Sequence, residues 1–92
     1  MQRKAKVVES ALLRKGFKKT INDHYFFTYV TLDRKVSTIT TKISLGEREI
    51  HSPLISKMAK DCKLTKDAFL DLVDCPLDQE HYDDILKEQG LI

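Results

Sequence analysis

This chain of 92 residues has only two cysteines, two prolines and three glycines, and each scarcity excludes something. Cys62 and Cys75 form no ligand-like cluster, and a protein zinc site needs three or four ligands, so both are expected to be reduced and structural. With so little glycine and proline there is no low-complexity tract, and no internal repeat is present. No apolar run approaches the roughly 18–20 residues needed to span a bilayer. The start, Met1-Gln2-Arg3-Lys4, leads into a mixed-charge helix without a signal-peptide apolar region, so no membrane association and a cytoplasmic location are expected. A chain of this length buries one modest core and no large internal cavity, which points to a surface site.

The charge that is present is unevenly divided. Residues 1–63 carry 14 Lys and Arg against 6 Asp and Glu, whereas residues 64–92 carry 2 against 8. A basic body followed by an acidic segment favours a polyanion partner for the body, because cations that neutralise phosphates release condensed counterions. A merely solvated surface accounts for the same asymmetry.

Ala5, Val8, Ala11 and Leu12 mark the apolar face of a first helix over Gln2 to Lys15, which Gly16 ends. Five of the seven Phe and Tyr residues then fall between Phe17 and Tyr29. Phe17 to Ile21 reads as a strand, Asn22-Asp23 as a turn, His24 to Leu32 as a second strand, and Val36 to Leu45 as a third. In the third strand Ile39, Ile43 and Leu45 share one side with Ser37 and Thr41, leaving Thr38, Thr40 and Lys42 on a wet side. The second strand has aromatic residues on both sides. Taking Tyr25, Phe27 and Tyr29 as its core set puts His24 on the open side beside Phe26. Gly46 to His51 reads as a loop, and Ser52-Pro53 opens a helix with Leu54, Ile55, Met58, Ala59 and Cys62 as its buried stripe. Thr65 caps a third helix, which Cys75-Pro76 stops, and Asp78 caps a fourth that buries Tyr82, Ile85 and Leu86.

The expected fold is therefore α+β: an αβββα two-layer sandwich, in the order of double-stranded-RNA-binding domains, over residues 1–63. Residues 64–92 add an acidic two-helix extension packed on that core, within a single domain. Gly16-Phe17, Asn22-Asp23-His24-Tyr25-Phe26, Ile43-Ser44, Gly46-Glu47-Arg48-Glu49-Ile50 and Leu54-Ile55-Ser56-Lys57-Met58-Ala59 follow one another in a familiar order. In this order the chain resembles the HicA (YcfA-like) toxins of bacterial and archaeal toxin–antitoxin pairs, over about residues 8–63. The resemblance implies a ribonuclease that cuts messenger RNA through the histidine of the turn, here His24, and that a HicB-like antitoxin neutralises. Asn22-Asp23 stands where the family has Gly-Ser, and Leu45 where many relatives carry a second histidine. An alternative accordingly stays open: an RNA-binding or protein-interaction module of the same fold that does not cleave.

An imidazole with an ordinary pKa near 6.5 can take a proton from a ribose 2′-hydroxyl at neutral pH, the first step of metal-free RNA cleavage. A lone histidine at a strand mouth is otherwise an incidental residue, and His51 and His81 read as surface residues. Lys18, Lys19, Lys42 and Arg48 are the candidates for phosphate contact, and Phe26 for stacking on an unpaired base. Solvated lysines and a core phenylalanine are the plain alternatives. Neither a metal nor an organic cofactor is expected, because His24 has no ligand-spaced neighbours and no Gly-rich phosphate loop follows a strand.

Overall fold

The structure, a computed structural model, describes residues 2–74 and 76–92. Along them run β1 (Gln2–Lys4), α1 (Ala5–Arg14), β2 (Phe17–Ile21), β3 (His24–Val30), β4 (Val36–Ser44), β5 (Glu49–His51), α2 (Ser52–Asp61), α3 (Lys66–Asp74) and α4 (Gln79–Glu88). The fold is α+β, with a three-stranded antiparallel sheet in the order β2-β3-β4, a separate two-stranded pair β1-β5, and four helices. The reading of Cys75 falls outside the described residues.

Alternation builds the sheet. Phe17 lies opposite Tyr29, Lys19 opposite Phe27, and Phe27 opposite Thr41, so large side chains of successive strands meet on one face. That face carries Phe17, Phe27, Tyr29, Ile39 and Ile43 into a core completed by the helices. Tyr25 is only half-buried, because it lies at the turn end of the β2–β3 hairpin opposite the exposed Ile21.

Gly16 takes φ +97°, a left-handed backbone that suits glycine, and its carbonyl accepts from Val30 N at 2.9 Å. A Cβ at Gly16 would lie 2.3 Å from Gln79 Nε2, so the turn out of α1 also admits close approach of α4.

Several expectations are corrected. The first helix begins at Ala5, not Gln2, because Gln2, Arg3 and Lys4 pair in extended form with His51, Ile50 and Glu49. For the same reason residues 49–51 are a strand and not loop, and Ile50 is fully buried. β4 stops at Ser44, whose carbonyl accepts from Glu47 N at 3.2 Å, so Leu45 sits in the turn with half its surface exposed (50%) rather than on the core side. Lys15 lies outside the apolar stripe of α1 and is nevertheless buried. Its ammonium donates to the carbonyl of Leu72 at 3.1 Å, in the last turn of α3, and to that of Leu77 beyond the helix, so a cation sits at the negative end of α3.

The acidic helices belong to the same core as the sheet. Phe69, Leu72, Tyr82 and Leu86 are fully buried, and the ring of Tyr82 lies 4.8 Å from that of Tyr29 and 5.8 Å from that of Phe17. The Tyr82 hydroxyl donates to the carbonyl of Cys62 at 2.8 Å. Arg3 forks onto Asp74 at 3.0 and 2.7 Å, fastening β1 to the end of α3. With the helices on one face, the other face of β2-β3-β4 is left open.

Candidate functional site

The open face follows from register. Lys18, Thr28 and Thr40 lie in one cross-strand row, Thr20, Phe26 and Lys42 in the next, and His24 and Ser44 in the third. Residues directly opposite each other point to the same side, so all eight share one face. Lys18, Thr20, Thr40, Lys42 and Ser44 are exposed, and His24, Phe26 and Thr28 are half-buried. Lys42 is the diagonal neighbour of His24, a relation that sets two residues about 7–8 Å apart.

His24 opens β3 directly after the turn in which Asn22 N donates to the His24 carbonyl at 3.0 Å. Its side chain keeps 33% of its surface accessible, and Nδ1 lies 3.6 Å from Asp23 Oδ1, an ion-pair separation too long for a hydrogen bond. The imidazole meets the Phe26 ring edge-on, with centroids 6.2 Å apart and planes at 64°. Beside them the Thr28 and Thr40 hydroxyls share a 3.1 Å hydrogen bond across the strands. Chemically, the face offers an accessible imidazole, an aromatic ring, hydroxyls and two ammonium groups.

Two expected phosphate contacts lie elsewhere. Lys19 follows Lys18 in a strand and so points to the opposite side, where its ammonium pairs with Glu9 of α1 and lies 4.1 Å from the centroid of the Tyr25 ring. The two lysines cannot act on one face, a consequence the period-two pattern already carried. Arg48 stands in the β4–β5 connection beside Lys4, Lys6 and Glu47, and its carbonyl accepts from Ala5 N at 2.9 Å. It belongs to the β1–β5 corner and not to the three rows around Phe26.

The larger charge perturbations lie in the helical layer. Burial opposes ionisation of Asp83, but hydrogen bonds from the Tyr29 hydroxyl, the Leu32 amide and Lys87 outweigh it and hold the carboxyl below its ordinary value. Burial, and then the bond to Asp83, pushes the Tyr29 phenol up. Burial likewise pushes up the Cys62 thiol, leaving it protonated and unreactive. These groups hold the scaffold and lie on the helix side of the sheet. Sequence reading missed them because Lys15 and Asp83 look like ordinary surface charges until distant segments supply their partners.

Among the described residues no three His, Cys, Asp or Glu side chains cluster closely enough to hold a metal ion, and no helix is long and apolar enough to cross a membrane. No protein-family model matches the chain, and neither a curated protein nor a solved structure matches it.

Proposed function

We propose that the open sheet face binds RNA and that the chain is a HicA-like endoribonuclease with His24 as its proton-transfer group. The observation that carries this is the register that gathers Lys18, Thr20, His24, Phe26, Thr28, Thr40 and Lys42 on one uncovered face. In the proposed reaction His24 accepts the proton of a ribose 2′-hydroxyl, and the 2′ oxygen forms a bond to the adjacent phosphorus. The bond from phosphorus to the 5′ oxygen breaks, that oxygen takes a proton from solvent, and the imidazolium returns its own proton to solvent. Lys42 and Lys18 offset phosphate charge, a smaller contribution on an open face than in a dry site. Phe26 offers its ring to an unpaired base. The α1–β2–β3–β4–α2 run is proposed to correspond to the double-stranded-RNA-binding-like αβββα arrangement. The substrate would be messenger RNA in the cytoplasm, and a HicB-like protein would restrain the activity.

A second reading draws on the commitment of Lys19 to Glu9 and Tyr25, which leaves Lys18 and Lys42 as the cations of the open face, with only Lys42 adjoining His24. With so few cations the face would bind RNA without cleaving it. Incubating the purified protein with messenger RNA in EDTA separates the two. Cleavage that His24→Ala lowers at least about a hundredfold, the lower range for loss of a general acid or base, supports the first. Equal cleavage by both proteins removes His24 from the chemistry, and salt-dependent binding without cleavage supports the second.

A further inference from the structure

β4 forms one edge of the sheet and is its longest strand, at nine residues. Its sequence, Val36-Ser-Thr-Ile-Thr-Thr-Lys-Ile-Ser44, has one charge, no proline and no glycine, and most of its residues are β-branched. Protein edges are usually blunted by charge, proline or a covering element, because their unpaired backbone groups can template another strand. Here the one register irregularity falls at the Val36 end, and residues 40–44 pair regularly with β3.

Two features around this edge say what would pair with it. At the Val36 end opens a cleft of about 300 Å³, bordered by Val36, Thr38, Leu91, Ile92, Lys35 and Lys87. Val36 is 74% exposed there, and Leu91 and Ile92 are also exposed, so the cleft has an apolar wall that the described residues leave uncovered. The second feature is cationic. Lys42 projects from the open face of β4. On the other side Thr41 donates to Asp61 of α2 at 3.0 Å, which fixes that flank of α2 over β4. Lys57 lies one turn from Asp61 on the same flank and is exposed. Lys35 and Lys87 stand at the cleft. The carboxylates nearby are Asp61, engaged by Thr41, Asp33 at the cleft, Asp83, paired with Lys87 at 3.3 Å, and Asp84, which also lies near Lys87. A second copy would present the same cations, Lys42 and Lys57, at the seam, so an acidic segment complements this edge better.

We infer that β4 is a docking edge, to which a partner protein adds an extended acidic segment as a fourth strand, with an apolar side chain at one end seated against Val36, Leu91 and Ile92. Main-chain hydrogen bonds along β4 would supply affinity, and the cleft and lysines would select the partner. This surface does not depend on His24 cleaving RNA, and Lys57 and Lys35 lie outside the RNA rows, so failure of either idea leaves the other testable.

The probe is a synthetic peptide as long as β4, alternating valine and glutamate with a leucine at one end, added to the isotope-labelled full chain. The expected result is slowed amide exchange in β4 and shifted resonances at residues 36–44, Leu91 and Ile92. A peptide with lysine in place of glutamate should bind at least about tenfold more weakly, and Lys57→Glu or Lys35→Glu should weaken the acidic peptide about threefold or more, with the loss fading at high salt. Both variants change exposed side chains, and circular dichroism checks their folding. Absence of binding, shifts that map away from β4, or equal binding of the lysine peptide would overturn the inference. So would peptide-free dimerisation through β4, which would assign the edge to a second copy.

Discussion

The hydroxyl of Tyr29 donates to Asp83 at 2.6 Å, and both side chains are shut off from water. The same carboxylate oxygen accepts from Leu32 N at 3.3 Å, while Lys87 approaches the other oxygen at 3.3 Å. One buried anion thus ties β3, the turn that follows it, and α4. The acidic segment is attached to the body by this polar bond and by the packing of Tyr82 on Phe17 and Tyr29.

Tyr29→Phe should cost about 1.5–3 kcal/mol in urea unfolding, the range for a hydrogen bond to a charged group. The Asp83 carboxyl is depressed in the folded state, so its contribution is present above the unfolded carboxylate value of about 3.9 and is lost as pH falls through the folded one. The stability of the wild type should therefore decline below about pH 4, and that of Tyr29→Phe more gently. Parallel pH profiles would show that the hydroxyl does not hold the carboxylate charged.

Truncation after Lys63 should abolish the fold. It removes Phe69, Leu70, Leu72, Val73, Tyr82 and Leu86 from the core and leaves the Lys15 ammonium without its two carbonyl acceptors. Circular dichroism and amide dispersion should report an unfolded or molten chain. A cooperative transition in the shortened chain would show that the body folds alone.

Paired substitutions on the sheet separate its two faces. Lys18→Ala with Lys42→Ala should weaken RNA binding and flatten the dependence of log affinity on log salt by up to about 1.4–1.8, because each lost phosphate contact releases fewer counterions. Lys19→Ala, which breaks the pair with Glu9 and the contact with Tyr25, should leave that slope unchanged and slightly lower thermal stability. A slope that responds to Lys19 alone would move the RNA path to the helix side.

His81 offers a second test of charge. Its hydrogen bond to the Asp78 carboxylate at 2.7 Å raises its pKa, and Asp78 also caps α4 by accepting from His81 N at 2.9 Å. The histidine's contribution is complete below its unfolded value of about 6.5, for as long as Asp78 stays ionised, and is lost as pH rises through the folded one. Asp78→Asn keeps a capping oxygen and removes the charge, so an NMR titration of His81 should move back toward its ordinary midpoint. An unmoved midpoint would mean that other carboxylates set it.

Local signals in the sequence determined a large share of this structure. The period-two alternation from Phe17 to Ser44 specifies three strands and already sorts His24 and Phe26 from Phe27 and Tyr29. Gly16, Pro53, Thr65 and Asp78 mark helix ends through backbone chemistry that acts within a few residues, but Ser52 is not the cap expected of it: α2 already includes it, His51 is the N-cap, and the Ser52 hydroxyl accepts from Lys66. The same alternation carried the separation of Lys18 from Lys19, although proximity in sequence suggested a joint role.

What the tertiary structure decided rests on partners far along the chain. Gln2–Lys4 and Glu49–His51 are too short to be strands on their own merits and become strands because each supplies the other's hydrogen bonds. Leu45 turns outward because the chain leaves the sheet at Ser44. Lys15 and Asp83 are buried because the acceptors at Leu72 and Leu77, and the donor at Tyr29, satisfy them. Which side of the sheet stays open is decided by where the helices dock. That choice depends on burying Tyr82, Phe69 and Leu86 together with Tyr29 and Phe17, an energy no local stretch of the sequence contains.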